Sequence, residues 1–257
     1  MQALTKISGT AKMPLYDWPE FHDHTEQLWA RIRLAARDEG VDLPEALDHT
    51  AQRLSAWMSD SLIFSQLCGS PWHRHHRLTA RYLASSNFDL GDNDPGTYYS
   101  KIVVRADADW PSLQALVGAS ARFAFNDDDS QSGVHCLRPL TDVEPLLAGG
   151  FESGGHRFSM EAVANGRADF AAIDAFSFTL AERAMPELTT ALRVIAQTDP
   201  RPAPVLITAK ALGEDTGARL RRAVLTGLSD LPADLTQAYS FRGAVDLGEA
   251  AYEVFSL

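Results

Sequence analysis

Residues 122–133 read Arg-Phe-Ala-Phe-Asn-Asp-Asp-Asp-Ser-Gln-Ser-Gly and join a predicted strand to a predicted helix, which decides the fold class. The run Arg122–Phe125 is typical of a buried strand, and Ser130 is predicted to open the following helix. The first N–H groups of a helix lack partners within it, and the helix dipole adds partial positive charge there. Because Ser130 and Ser132 add hydroxyl donors, this junction predicts an anion site. The same pattern also fits a plain helix cap at Asp129 or Ser130.

The succession of strand, loop and helix recurs along the chain and indicates α/β layers with mainly parallel pairing. Further strands are predicted within residues 5–16 and at Ser61–Phe64, Leu78–Ala84, Lys101–Val104, Phe170–Ile173 and Val205–Thr208. Further helices are predicted at Glu20–Gly40, Leu54–Met58, from Pro71, and at Trp110–Gly118, Ser159–Asn165, Phe176–Arg183 and Arg219–Leu228.

Two linker-like stretches, near residues 95–100 and at 197–204, divide the chain into three pieces. If the first and last pieces pack together, residues 1–100 and 200–257 form one discontinuous lobe. The middle piece, residues 101–199, then forms an inserted second lobe. Such a chain crosses twice between the lobes, which predicts a hinge and a ligand cleft between them.

The charge balance narrows the class of partner. The chain has 34 acidic and 23 basic residues, giving a formal net charge of -11. An acidic surface argues against nucleic-acid binding, which needs a basic footprint. It does not exclude an anionic ligand, because backbone N–H groups and helix N-termini bind anions without basic side chains.

Few features of the sequence indicate the cellular compartment of the protein. The sequence contains no run of 18 apolar residues, so no transmembrane helix is expected. Residues 1–20 lack the apolar core of a secretory signal, which predicts a cytoplasmic location for the chain as given, although a trimmed exported protein would read the same. Cys68 and Cys136 are too few for a disulfide framework and are expected to act as buried thiols. A single disulfide between them remains an alternative.

Two later positions complete the candidate site of the second lobe. The turn Ser153–Arg157 contains two glycines ahead of a predicted helix, which lets the backbone approach a ligand, and His156 and Arg157 can supply a donor and a charge. Asp174 ends a predicted strand, where side chains face the crevice of an open α/β sheet. Plain readings remain open for both: His156 as a loop residue and Asp174 as a helix cap.

Candidate contacts from the first lobe lie at predicted strand ends. Tyr16 ends the first strand, and Ser65 and Gln66 begin the loop after Phe64. Tyr98 and Tyr99 precede the crossover strand and can donate to oxygens or pack against an alkyl group. Simple packing at the rim remains the alternative for each.

No metal site and no cofactor are predicted. His73 and His76 share one side of a helix without an obvious third ligand. His22 and His24 lie two apart on a helix and face different directions. The run Asp127–Asp129 lacks the glycine and distant glutamate of a calcium loop.

Taken together, these residues resemble a known family. Leu15–Asp17, Ser65–Gly69, Tyr98-Tyr99 leading into Ile102–Asp107, Asn126–Gly133, Gly155-His156 and Ala171–Asp174 occur in the order found in phosphate/phosphite/phosphonate substrate-binding proteins of ABC transporters, the phosphonate-binding type. The similarity extends from about residue 10 to about residue 210. The segment Asn126–Gly133 with the later Gly-His pair is its most specific part.

The resemblance implies a type II periplasmic-binding-protein-like fold, with two α/β lobes joined by two crossover segments that close on the ligand. It implies that the hydroxyl-rich turn holds the phosphorus oxygens, which transfers to Ser130, Gln131 and Ser132. The Gly-His turn transfers to His156, and the aspartate after the next strand to Asp174. Gln131 departs from the Ser-Thr-Ser often found in phosphonate binders and removes one hydroxyl.

The expected function is therefore non-catalytic capture of a small phosphorus oxyanion, as the substrate-binding component of an ABC transporter with a permease partner. Two alternatives remain. A cytoplasmic ligand sensor agrees with the absent export signal. An enzyme on the same fold, either a hydrolase using a serine with His156 and Asp174 or a relative of pyrimidine-precursor synthases, has the residue types but lacks the Gly-x-Ser-x-Gly elbow.

Overall fold

Apolar strands form two mixed sheets, each the centre of its own unit. The structure is a computed structural model that describes residues 4–50 and 56–256. In chain order the strands are β1 (Thr5–Lys6), β2 (Thr10–Ala11), β3 (Val41–Asp42), β4 (Leu62–Leu67), β5 (Ala80–Phe88), β6 (Thr97–Tyr98), β7 (Ser100–Arg105), β8 (Phe123–Phe125), β9 (Phe151–Glu152), β10 (Phe170–Asp174), β11 (Leu192–Gln197), β12 (Arg201–Pro202), β13 (Val205–Ala209) and β14 (Phe241–Val245).

Helices connect most of these strands. They are α1 (His22–Asp38), α2 (Gly69–Pro71), α3 (Leu113–Gly118), α4 (Glu144–Gly149), α5 (His156–Ala164), α6 (Ala175–Ala184), α7 (Pro186–Thr190), α8 (Glu214–Gly227) and α9 (Ala233–Tyr239). A π-helical turn, Trp72–His76, continues α2. The helix predicted over Leu54–Met58 begins outside the described residues. Among the helices that the structure describes, none has both the length and the apolar character needed to cross a bilayer.

The chain divides into two units. The first contains Met1–Asp89, Asp94–Thr97 and Pro202–Leu257, and the second contains Leu90–Asn93 and Tyr98–Arg201. Apart from the short excursion at Leu90–Asn93, the chain passes from one unit to the other within β6 and returns within β12, and these two short strands pair with each other.

In the first unit, a five-stranded sheet has the order β14-β5-β13-β4-β2. Helices α1 and α8 pack against each other, with Trp29 and Ile32 of α1 and Leu220 of α8 among their buried residues. Their approach requires Gly227, because a Cβ there would lie 2.9 Å from the backbone of Ile32. Arg31 Nε donates to the carbonyl of Gly227 at 3.0 Å across the same contact.

In the second unit, a five-stranded sheet has the order β11-β7-β10-β8-β9. Its core contains Phe123 of β8 and Phe170 of β10, whose rings stack with centroids 4.8 Å apart. Helix α3 begins at Leu113, inside the predicted range Trp110–Gly118, and the hydroxyl of its N-cap Ser112 accepts from the N–H of Ala115. Helix α5 packs on β10, β7 and β8, and this packing places the first turn of α5 near the ends of those strands.

The expectation of mainly parallel pairing is wrong. Strand β7 runs antiparallel to β10 and β11, and β13 runs antiparallel to β4 and β5. Parallel pairs remain between β1 and β3, β2 and β4, β8 and β9, and β8 and β10, and β14 runs antiparallel to β5. Both β7 and β13 directly follow a crossover, and each runs antiparallel to both of its neighbours, which makes the two sheets mixed.

Candidate functional site

The loop after β8 forms turns where a regular helix was predicted. Residues 131–134 form turns, and a short 3-10 helix follows at His135–Leu137. The N–H groups of Val134 and His135 both donate to the carbonyl of Ser130. The N–H of Cys136 donates to the carbonyl of Gln131 at 2.8 Å, five residues back. This wider winding stops an α-helix from starting at Ser130, so a helix dipole there does not contribute.

The turn is wound around the side chain of Asn126. A Cβ built on Gly133 would lie 1.7 Å from Asn126 Oδ1, so only glycine fits against that amide. The N–H of Gly133 donates to Ser130 Oγ at 3.0 Å. Ser130 therefore acts as a cap through its oxygen lone pairs, and its hydroxyl proton remains to be donated elsewhere.

Ser132, His156 and Asp174 come together at the centre of the second unit's candidate site. Ser132 Oγ lies 2.9 Å from His156 Nε2, and the same nitrogen lies 3.1 Å from Asp174 Oδ2. All three side chains are almost completely shielded from solvent. His156 is the first residue of α5, which begins three residues earlier than the predicted Ser159. Gly154, with φ of 86°, turns the chain into this helix start.

Asp174 is both a helix cap and a partner of His156. It ends β10 and is the N-cap of α6, accepting from the N–H of Ser177 at 2.7 Å. The hydroxyl of Ser177 donates to Asp174 Oδ2 at 2.6 Å. The helix-cap reading of Asp174 is therefore confirmed, and its role as a ligand contact stays a prediction. Its charge is balanced by Ser177 donors, by His156 and by the N-terminal dipole of α6.

The shared nitrogen argues against a hydrolytic relay. In a Ser-His-Asp triad, the serine and the carboxylate contact opposite nitrogens of the imidazole, so that one nitrogen can take the serine proton. Here Ser132 and Asp174 contact the same Nε2 atom. A proton on Nε2 that is donated to Asp174 leaves no lone pair to deprotonate Ser132. The hydroxyl of Ser132 is consequently arranged to donate its proton rather than to attack.

Two residues that sequence reasoning missed fix the backbone of this turn. Ser100 Oγ donates to the carbonyl of Ser132 at 2.8 Å, and Cys136 Sγ donates to the same carbonyl at 3.0 Å. Burial raises the pKa of Cys136 to about 12, so it stays a thiol donor at neutral pH. Ser177 was also missed, although its spacing from Asp174 is that of an N3 residue after an N-cap.

Gln131 adds an amide to the site. Its side chain is buried but makes no hydrogen bond to any residue that the structure describes. Helix α5 begins beside this turn, and the N–H of Ser159 donates to the carbonyl of Gly155 in its first turn. Arg157 lies 3.4 Å from Glu161 along α5, so its charge is partly compensated. The second unit therefore brings hydroxyl, amide and imidazole groups together around this turn.

The candidate residues of the first unit lie in a strand, not in the predicted loop. Strand β4 extends to Leu67, so Ser65 and Gln66 are inside it and buried. Trp57 Nε1 lies 3.1 Å from both Ser65 Oγ and the carbonyl of Gln66. Gln66 Nε2 donates to Ser86 Oγ at 3.4 Å. Gln66 Oε1 is buried and has no hydrogen-bond donor within the described part of the chain.

The three tyrosines have different surroundings. Tyr16 is buried with its ring edge-on to Phe88 at 5.5 Å, and its carbonyl accepts from Tyr239 Oη at 3.3 Å. Residues 5–16 contain two short strands, and the second, β2, ends at Ala11, so Tyr16 follows a turn and does not end a strand as predicted. Tyr98 is buried in β6. Tyr99 is half-buried, and desolvation followed by the charges of nearby acids raises its pKa.

The histidines and aspartates for which no metal site was predicted contact other side chains. His73 Nε2 lies 2.9 Å from Ser256 Oγ, and Asp129 lies 3.1 Å from His135. His22 and His24 do face different directions, since His24 stacks on Tyr239 and His22 stacks on His49. Cys68 and Cys136 are free thiols.

Comparison with known proteins identifies the family of the chain. The family model described as ABC transporter, phosphonate, periplasmic substrate-binding protein matches residues 72–252. A search of curated proteins gives no significant match.

Solved structures share the fold at low sequence identity. PhnD1 from Prochlorococcus marinus, in complex with methylphosphonate, is 15% identical with a TM-score of 0.71, covering 99% of this chain and 96% of that chain. A binding-protein component of an ABC phosphonate transporter from Pseudomonas aeruginosa is 16% identical with a TM-score of 0.68, covering 97% and 83%. XAC2383 from Xanthomonas citri, bound to ATP, is 18% identical with a TM-score of 0.64, covering 100% and 98%. The fold is therefore that of a type II periplasmic binding protein.

Proposed function

Because the chain belongs to the family of periplasmic phosphonate-binding proteins of ABC transporters, we propose that it binds a small phosphorus oxyanion, namely a phosphonate, phosphite or phosphate. In this proposal the protein holds the ligand without transforming it and delivers it to a transporter permease. The observation that carries the proposal is the contact of Ser132 and Asp174 with a single nitrogen of His156.

That contact makes a donor cluster suited to tetrahedral oxygens. With the proton of Nε2 directed to Asp174 and Ser132, the hydroxyl proton of Ser132 turns outward. Ser130 Oγ already accepts from Gly133, so its hydroxyl proton is also available to a ligand oxygen. Gln131 can contribute two more amide protons. Hydrogen bonds to a charged oxygen are worth about 1.5–3 kcal/mol each, so a few suffice without a lysine or a metal.

The charge state of the ligand follows from Asp174. A buried carboxylate beside an anion disfavours full ionisation of the ligand, which favours a monoanion that retains one proton or a ligand that carries an amino group. The unsatisfied acceptor Gln66 Oε1 is proposed as a contact for such a proton. Tyr16, Ser65, Tyr98 and Tyr99 are proposed as the remaining contacts of the same ligand.

Calorimetric titration tests the proposal. We expect methylphosphonate, phosphite or phosphate to bind the wild-type chain, and sulfate, which carries no proton at neutral pH, to bind more weakly. The Ser132→Ala variant should lose about 1–3 kcal/mol of binding free energy. Ser229→Ala is the matched control, because that exposed hydroxyl only donates to the carbonyl of Thr226.

Two results would contradict the proposal. One is a folded wild-type chain that binds none of the phosphorus anions. The other is equal affinity of the wild type and Ser132→Ala, which would remove that hydroxyl from the site. Hydrolysis of phosphoesters that depends on Ser132 would instead favour the enzyme alternative.

A further inference from the structure

A second polar cluster in the first unit has no role in the proposed ligand site. It consists of Asp17, His22 and His49, all half-buried. Asp17 precedes the 3-10 turn that leads into α1, His22 is the first residue of α1, and His49 lies in the loop after β3. His22 was predicted only to face a different direction from His24, and His49, 27 residues further along the chain, was not among the predicted site residues.

The three side chains converge on one point. Asp17 Oδ1 lies 2.7 Å from His49 Nδ1 and 3.4 Å from His22 Nε2. The two imidazole rings stack with centroids 4.1 Å apart and planes inclined by 24°. One ligand atom from each residue lies within 4.8 Å of the other two. Ligands of a tetrahedral Zn²⁺ lie about 3.3 Å apart, given bonds of about 2.0–2.1 Å, so binding one ion requires the two stacked rings to rotate until their nitrogen lone pairs meet.

A fourth side chain holds His49 from its other nitrogen. Glu26 Oε1 lies 2.9 Å from His49 Nε2 and also accepts from the N–H of Leu47 at 2.9 Å. A carboxylate on the distal nitrogen is the usual support of a metal-binding histidine, because it keeps the proton there and leaves Nδ1 with its lone pair. The cluster thus contains both the ligands and the outer contact of a metal site.

We propose that Asp17, His22 and His49 bind a divalent transition-metal ion, with Glu26 as the positioning residue of His49. Two imidazoles and one carboxylate suit Zn²⁺, whereas Ca²⁺ and Mg²⁺ prefer oxygen ligands. The two carboxylates balance the charge of the ion, and the half-exposed setting leaves a fourth position for water. In the absence of metal, His49 Nδ1 can donate a proton to Asp17 at 2.7 Å, and a metal ion bound at Nδ1 replaces that proton while Glu26 keeps the proton on Nε2.

Titration of the full chain with zinc chloride tests this site. We expect one Zn²⁺ per chain and, with cobalt chloride as a second probe, the visible absorption of four-coordinate Co²⁺. His22→Ala and His49→Ala should each lose saturable binding, and Glu26→Gln should weaken it about 10- to 100-fold. His49→Gln serves as a second variant in case alanine impairs folding, and thermal unfolding without metal checks each variant.

Surface histidines provide the control. His75 is exposed beside His76, so the double variant His75→Ala/His76→Ala removes another place where zinc can bind. The proposal requires this double variant to bind Zn²⁺ like the wild type. Loss of binding there, retained binding in His22→Ala and folded His49→Gln, or no stoichiometric binding by the wild type would each overturn it.

Discussion

Replacing Gly133 with alanine tests the turn on which the anion site depends. A Cβ at this position would lie 1.7 Å from Asn126 Oδ1, 2.9 Å from Asn126 Cγ and 3.1 Å from Ser130 Oγ. Both neighbouring side chains are buried, so neither can move into solvent without disturbing its surroundings. Gly133 has no positive φ, so the backbone itself accepts alanine and the cost is steric.

The expected loss in the free energy of unfolding follows from the clash between the added Cβ and Asn126. Adding one methyl group to a filled site costs about 1–3 kcal/mol when side chains must leave their rotamers. We therefore expect Gly133→Ala to lower the free energy of unfolding of the second unit by about that amount. Because Ser130 to Ser132 lie in the same turn, we also expect weaker binding of methylphosphonate.

Urea unfolding followed by circular dichroism measures the effect. The matched control is Gly118→Ala in the same unit, where a Cβ meets nothing within 4 Å and alanine is expected to be neutral or stabilising by up to about 1 kcal/mol. In an Asn126→Ala background the clash is removed, so Gly133→Ala should cost less there, giving a coupling of about 0.5–3 kcal/mol. Equal unfolding midpoints for Gly133→Ala and Gly118→Ala, or no coupling with Asn126, would refute the reasoning.

Two further substitutions each test a side-chain hydrogen bond, one in the second unit and one in the first. Ser177→Ala removes the hydroxyl that donates to Asp174 but keeps the backbone N–H that caps the helix, so it should lower the free energy of unfolding by about 1.5–3 kcal/mol and weaken anion binding. Thr179→Ala on the same helix should change neither quantity. Equal behaviour of the two variants in thermal unfolding and calorimetry would exclude this role of Ser177. The carboxylate of Asp246 accepts a hydrogen bond from Arg221, and this bond lowers the pKa of Asp246. The bond therefore stabilises the folded chain above about pH 4, and this stabilisation is lost as the pH falls through the lowered pKa. Between about pH 5 and pH 2, the midpoint of thermal unfolding should therefore fall less for Asp246→Asn than for the wild type. The control Asp230→Asn, at an exposed position, should show the same fall as the wild type.

Local pattern predicted much of the fold but not the direction of its strands. The apolar spacing in Glu20–Gly40 predicted α1, and the helix predicted at Trp110–Gly118 contains α3. Strand direction depends on where the chain enters each unit, and residue type does not record that path. Ser65 and Gln66 were assigned to a loop because they are polar. They continue β4 because Trp57 and Ser86 supply hydrogen bonds inside the core.

The site was predictable as a set of residue types rather than as a geometry. Spacing and the family resemblance both pointed to Ser132, His156 and Asp174, and their roles as ligand contacts stay a prediction. Their mutual contact depends on how β10, α5 and the turn after β8 pack, which no local pattern contains. Ser177 was readable from its spacing after Asp174. Ser100 was not, because it contacts Ser132 across the sheet from a different strand.

The acidic character of the chain and its proposed anionic ligand are compatible because the two effects act over different distances. The net charge of -11 repels an approaching anion, but salt screens that field over about 8–10 Å at physiological ionic strength. Within the turn, the nearest groups are hydroxyl, amide and imidazole protons, and Asp174 is already paired with Ser177 and His156. A bound anion therefore meets donors at hydrogen-bond distance, where one charged hydrogen bond of about 1.5–3 kcal/mol outweighs the screened repulsion of remote carboxylates. Affinity should then depend more on Ser132 than on ionic strength.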